Sequence, residues 1–154
     1  MKIYLAGPCD TANRTMMVNI AKDMRNFMLN LNLYCPFELK IDNAWDYSQE
    51  EWSQKVFNTD VAAIDACDAM IMISLGRISS AGTNWEQGYA FAKGKQIFVL
   101  QITEEPTSLM TYCGCYYFMN VTKDTLIQEI HNILVHLIYK KDEYYKAECK
   151  TILT

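Results

Sequence analysis

Apolar residues along the chain follow two rhythms. Four short runs carry no polar alternation: Lys2-Ile3-Tyr4-Leu5-Ala6, ended by Gly7-Pro8; Leu33-Tyr34-Cys35, stopped by Pro36; Ala69 to Ser74; and Gln96 to Leu100. Such runs predict buried strands. Between them the spacing becomes helical. Thr11 to Leu31 places Met16, Met17, Ile20, Met24, Phe27, Met28 and Leu31 on one stripe, and Gln49 to Cys67 does the same with Trp52, Val56, Phe57, Val61 and Ile64. Thr83 to Lys93 predicts a third helix, with Thr83 as its cap. Thr125 to Tyr139 predicts a strongly amphipathic fourth, carrying Leu126, Ile127, Ile130, Ile133, Leu134, Leu137 and Ile138. Phe37 to Tyr47 has no period and holds Asp42, Asn43 and Trp45, so it predicts a long loop with a functional or lid role.

Unalternated strands separated by helices imply a mostly parallel sheet covered on both faces. The expected fold is one doubly wound α/β domain, Rossmann-like or flavodoxin-like, over residues 1–154, with no repeat, linker or low-complexity segment. In such sheets a ligand binds beyond the carboxyl ends of the strands. The loops expected to matter are Gly7–Thr11, Leu75–Thr83 and Thr103–Met110.

Composition narrows the function. Half the residues are apolar and 21% are charged, which excludes a disordered chain. A net charge of -4 without basic clusters argues against nucleic-acid binding. The opening MKIYLAGP is not expected to be a signal peptide, and no apolar run approaches the ~20 residues that cross a membrane. The six cysteines, Cys9, Cys35, Cys67, Cys113, Cys115 and Cys149, contain no C-x-x-C pair. They predict reduced thiols in a cytoplasmic protein. His131 and His136 are five apart on a helical segment and are not expected to share a face, so no metal site is predicted.

The first loop, AGPCDT, has neither a G-x-G-x-x-G pattern nor a Walker lysine. Gly7 there is open to two readings, close approach of a ligand to the backbone or a plain tight turn. Glu86 follows Gly82-Thr83-Asn84-Trp85 at the mouth of an apolar helix. It is either the second half of a capping box with Thr83 or a carboxylate offered to a ligand. The helix dipole is expected to lower its pKa and keep it anionic, which suits a nucleophile. Of three further acids, Asp68 is expected to end its helix and Asp65 to be solvated. Asp60, on a helix whose other face is apolar, is open between an exposed acid and a functional one.

Taken together, KIYLAGP at Lys2–Pro8, NTDVAAIDACDAMIMI at Asn58–Ile73, GTNWEQGYAFAKGK at Gly82–Lys95 and Ser108-Leu109-Met110 resemble the nucleoside 2-deoxyribosyltransferase family. The resemblance runs from residue 2 to about residue 110. It implies that Glu86 is the nucleophile, that Asp60 is an acid at the base, and that the Tyr4 hydroxyl holds the nucleophile. Gly7, Ser80, Gly82, Ser108 and Met110 stand at substrate-binding positions. Ser80 replaces a frequent Asp and Ser108 a frequent Asn, which leaves base preference open. Trp45 or Tyr89 is a candidate for stacking on the base, with a core role for Tyr89 the stronger reading. The implied chemistry is a retaining two-step displacement at C1' of a deoxyriboside, with nucleosides and free nucleobases as partners and no metal or organic cofactor. A preference for sugars lacking a 2'-hydroxyl is implied too. So is a homo-oligomer, a hexamer of dimers or a dimer, in which Ser108 and Met110 reach a neighbour's site and aromatic residues from Tyr112 to Phe118 bury at the interface.

Three rivals stand beside it. A nucleoside 5'-monophosphate N-glycosidase would share fold and nucleophile, but the loop GPCDTANR offers only Thr11 and Arg14 to a phosphate. A non-catalytic nucleotide-sensing module would not need the Tyr4, Asp60 and Glu86 set. A structural or interaction protein draws support only from the aromatic stretches.

Overall fold

The computed structural model describes residues 1–139 together with the backbone of residues 152 and 153, so Cys149 lies outside the described residues. Five strands form one parallel sheet: β1 (Lys2–Ala6), β2 (Asn32–Tyr34), β3 (Ala69–Ser74), β4 (Gln96–Gln101) and β6 (Tyr117–Asn120), in the order β2-β1-β3-β4-β6. The helices are α1 (Arg14–Phe27), α2 (Gln49–Ala66), α3 (Ala81–Ala92), α4 (Leu109–Cys113) and α5 (Lys123–Tyr139). Two short strands, β5 (Thr107–Ser108) and β7 (Ile152–Leu153), pair in parallel apart from the main sheet. The expected doubly wound α/β architecture is the one observed.

Strand pleat divides the core in two. On one face Ile3, Leu5, Ala69, Ile71, Ile73, Phe98 and Leu100 meet Met17, Ile20 and Met24 of α1 and Leu126, Ile130, Ile133 and Leu134 of α5. On the other face Tyr4, Ala6, Met70, Met72, Ile97, Val99 and Phe118 meet Ile64 of α2 and Ala90 of α3. β3 is buried at every position, as the unalternated run requires.

Several boundaries differ from expectation. α1 begins at Arg14, because the Asp10 carboxylate accepts from the N–H of Ala12 (2.9 Å) and Asn13 (3.1 Å) and holds the preceding residues in a turn. It ends at Phe27, and Met28 is already extended. Within Tyr112–Phe118, Tyr112 and Cys113 close α4, and Tyr117 and Phe118 open β6, a strand the apolar pattern did not predict. Tyr117 and Phe118 are core residues there, while Tyr116 remains exposed. The loop Phe37–Tyr47 contains two 3-10 turns, Pro36–Glu38 and Ala44–Asp46; Phe37 is buried and Trp45 is 89% exposed.

A capping box, one of the two readings offered for Thr83 and Glu86, is found at helix α2. Ser48 Oγ accepts from Glu51 N–H (3.2 Å) and Glu51 Oε2 accepts from Ser48 N–H (2.9 Å). Of its apolar stripe only Ile64 is fully buried, and Trp52 and Phe57 are exposed. Length explains this. The 18 residues of α2 span ~27 Å and the six of β3 only ~20 Å, so the first turns of α2 project past the carboxyl edge of the sheet. The projecting aromatics wall a cleft rather than fill a core.

A plain tight turn does not explain Gly7. Its φ is not positive, so the turn itself does not require glycine. A Cβ there would lie 2.6 Å from Met17 Cε and 3.3 Å from Ile73 Cβ. The glycine lets the first loop lie flat on the core. Gly7→Ala is therefore expected to cost about 1–3 kcal/mol through overpacking, read as a lowered denaturation midpoint with an unchanged slope. An unchanged midpoint would show that Met17 yields freely.

Candidate active site

Helix α3 starts earlier than expected. Ser80 is its cap, and Ser80 Oγ accepts from Thr83 N–H at 3.1 Å. Thr83, inside the first turn, donates its hydroxyl to the Gly7 carbonyl at 3.1 Å and so ties α3 to the first loop. Glu86 then falls in the second turn, too late for a capping box. Its Oε1 accepts from the Tyr4 hydroxyl at 2.9 Å.

Tyr4 comes from the middle of β1 and is fully buried. Directly opposite in the parallel register is Tyr34 of β2. The two rings stack at 5.3 Å with 29° between planes. The Tyr34 hydroxyl donates to Asp60 Oδ1, on α2, at 2.6 Å. Two phenols thus hold two carboxylates, one from each helix that covers this face of the sheet.

Burial governs the electrostatics. The pKa of Glu86 is pushed up to about 7, first by desolvation and then by the negative charge of Asp60, against the lowering effect of the Tyr4 hydrogen bond. The expectation that the helix dipole would depress it is overturned, since the carboxylate lies beyond the first turn and is partly buried. Asp60 is also raised by desolvation, opposed by the Tyr34 hydrogen bond. Burial and the two acids push the Tyr4 and Tyr34 phenols above their ordinary range. Cys9, in the first loop, is raised to about 11 by burial and by the same two carboxylates, so it stays a thiol.

The carboxylates share a cleft of about 350 Å³. Helix α2 lines it with Trp52, Ser53, Val56, Phe57 and Asp60, and α3 with Gly82, Trp85 and Glu86. The rings of Phe57 and Trp85 lie 5.2 Å apart, and Trp85 stacks on Tyr89 at 5.3 Å. One apolar wall and two acids suit a flat polar heterocycle joined to a group that one acid can attack.

Tyr4, Asp60, Glu86 and Gly82 are thus brought together. Ser80 lies beside Gly82 at the head of α3, and Gly7 is tied to that helix through Thr83. Ser80 spends its hydroxyl on the helix cap. Ser108 and Met110 line a separate hollow of about 280 Å³ with Gln87 and Phe91 of α3. Trp45 lines a third, with Tyr47 and Trp52. Tyr89 is only partly buried and donates to Asp65 at 3.0 Å, and Lys93 pairs with the same carboxylate at 3.0 Å, so Asp65 is partnered rather than merely solvated. Asp68 accepts from Lys2 N–H at 2.7 Å. Among the described residues no group of three or more His, Cys, Asp or Glu could hold a metal ion. Sequence reading gave no role to Tyr34, Phe57 or Trp85. The match of Tyr34 to Tyr4 emerges only from the strand register, since the apolar run Leu33–Cys35 gives no alignment with β1.

The family profile described as nucleoside 2-deoxyribosyltransferase matches residues 3–138. The chain belongs to that family. Among solved structures it is similar to the 2-deoxyribosyltransferase of the psychrotolerant bacterium Bacillus psychrosaccharolyticus, at 22% identity and a TM-score of 0.69, covering 86% of this chain and 91% of that one. It is also similar to a conserved protein of Enterococcus faecalis V583 (19%, TM-score 0.63, 86% and 98% covered). A third likeness is to the CMP N-glycosidase BcmB of Clostridium botulinum (21%, TM-score 0.57, 86% and 99% covered). At these identities the likeness speaks for the fold. No curated protein matches the chain.

Because the folded pKa of Glu86 lies above the ordinary carboxylate value, its ionisation opposes folding. Its contribution to stability is complete below about pH 4.5 and is lost as pH rises through about 7. Glu86→Gln, which cannot ionise, is expected to melt higher than the native chain at pH 8, with the gap closing at pH 4.5. A gap independent of pH would mean that Glu86 keeps an ordinary pKa.

Proposed function

We propose that the protein transfers 2-deoxyribose between purine and pyrimidine bases through a covalent deoxyribosyl-Glu86 intermediate. The observation that carries this reading is the pairing of Tyr4 with Glu86 beside Asp60 in one aromatic-walled cleft. In the first step a Glu86 carboxylate oxygen attacks C1' and the C1'–N bond breaks. Its electron pair goes to the base, which takes a proton from Asp60. In the second step a ring nitrogen of the incoming base attacks C1'. The glycosyl ester breaks, Glu86 is released as carboxylate, and the proton of the incoming base passes to Asp60. Tyr4 holds one Glu86 oxygen and stabilises the anion when it leaves. Phe57, Trp85 and Trp52 offer the surface for the base. The cycle regenerates both acids, and no cofactor enters it. Sugars without a 2'-hydroxyl are the preferred substrates, and the working form is a homo-oligomer, a hexamer of dimers or a dimer.

A hydrolytic reading, release of a base from a nucleoside 5'-monophosphate, draws support from the likeness to a CMP N-glycosidase. The first loop weighs against it. Loop amides that would grip a phosphate, those of Ala12 and Asn13, already bond Asp10, whose own negative charge would repel the phosphate.

With deoxyadenosine as donor and cytosine as acceptor, chromatography should show deoxycytidine and adenine forming together. Glu86→Ala should lose ~10³-fold or more in turnover, as expected for a covalent nucleophile. Deoxyadenosine monophosphate should be a poorer donor than deoxyadenosine. Near-native turnover by Glu86→Ala would remove Glu86 from the mechanism, and release of adenine without deoxycytidine would favour hydrolysis.

A further inference from the structure

The stacked tyrosines do unequal work in the scheme above. Tyr4 has a part in it and Tyr34 has none, yet the Tyr34–Asp60 hydrogen bond, at 2.6 Å, is the shorter of the two. We propose that Tyr34 is the positioning residue for the base-side acid, fixing which oxygen of Asp60 carries the proton that is passed to the leaving base. The proposal rests on the deoxyribosyl-transfer reading of this cleft.

The argument begins in the sheet. Tyr4 and Tyr34 are register partners on adjacent parallel strands, so their side chains leave the same face side by side. Ring stacking removes their freedom to swing independently. The two hydroxyls therefore stand at a fixed spacing, and each meets a carboxylate from a different helix. Tyr34 donates to Asp60 Oδ1, and no described residue donates to Oδ2. A phenol that donates to Oδ1 leaves Oδ2 to carry the exchangeable proton. It also stabilises the anion formed once that proton has gone to the base. Without Tyr34 the proton can rest on either oxygen, and the carboxyl can turn away from the base.

The groups facing Asp60 from the elements packed around it are Tyr34 of β2, Tyr4 of β1, Glu86 of α3 and the Cys9 thiol of the first loop. Apart from Tyr34, these either oppose its ionisation or are neutral. Removal of the Tyr34 hydroxyl should thus raise the pKa of Asp60, so that the acid holds its proton to higher pH.

Tyr34→Phe keeps the ring and its stack on Tyr4. Transfer from deoxyadenosine should fall about tenfold to a hundredfold, the range for one hydrogen bond to a charged group. The alkaline limb of its pH profile should move up by about one to two units. A nitrophenyl deoxyriboside, whose leaving group departs without a proton, should lose much less. In an Asp60→Asn background, Tyr34→Phe should cost deoxyadenosine transfer little more. Equal losses for the two donors, an unmoved alkaline limb, or an undiminished cost in the Asp60→Asn background would each overturn the proposal. Glu86→Ala assayed in parallel separates the two ideas. If it is inactive while Tyr34→Phe behaves like the native chain, only the role of Tyr34 is lost. If it stays active, the transfer reading itself fails.

Discussion

Everything in this molecule turns on holding two partly buried carboxylates, Asp60 and Glu86, against an apolar sheet face. A buried carboxylate without partners costs far more than a small domain can tolerate, so each needs a donor from the protein. Two tyrosines at matched positions of β1 and β2 supply them. Parallel pairing fixes the spacing of the phenols, and the phenols fix the acids. Neither a helix nor a loop alone would hold that geometry.

Magnitudes decide the character of Glu86. A helix terminus contributes about 0.3–1 kcal/mol to a nearby charge and acts within one turn. Burial can move a carboxylate by as much as 3–5 pKa units. With Glu86 in the second turn, burial wins and its pKa rises to about 7. A carboxylate of that kind is ionised in a good part of the molecules near neutral pH and is weakly solvated, which suits the nucleophile proposed above. Tyr4 keeps the anion from being lost altogether. The negative charge of Asp60 also raises the pKa of Glu86, so the pair resists carrying two charges at once. In the proposed reaction a singly charged pair is the state in which one acid attacks and the other donates.

Much of this was legible in the chain. The runs at Lys2–Ala6, Ala69–Ser74 and Gln96–Gln101 are unalternated because both faces of those strands are covered, and that pattern specifies the parallel sheet. Glu86, Asp60 and Tyr4 stood out through their motif blocks. β6 was hidden because its four residues, Tyr117 to Asn120, are too short and aromatic to separate from a surface stretch. The cap of α3 was misplaced because Ser80 and Thr83 are both good caps, and only the tertiary bond from Thr83 to Gly7 settles which one serves. The stripe on α2 was legible as apolar, but a stripe does not reveal that a helix outruns its sheet. Tyr34 was missed because its partner Asp60 is 26 residues away and meets it only where α2 packs on the sheet.

The central claim is that Glu86 bonds to the sugar. Rapid acid quenching of the protein with deoxyadenosine and no acceptor, followed by peptide mass spectrometry, tests it most directly. The account predicts one deoxyribosyl adduct on the peptide containing Glu86, which disappears when cytosine is added before the quench. Release of adenine at full rate with no adduct on that peptide, or with an adduct on another carboxylate, would contradict it.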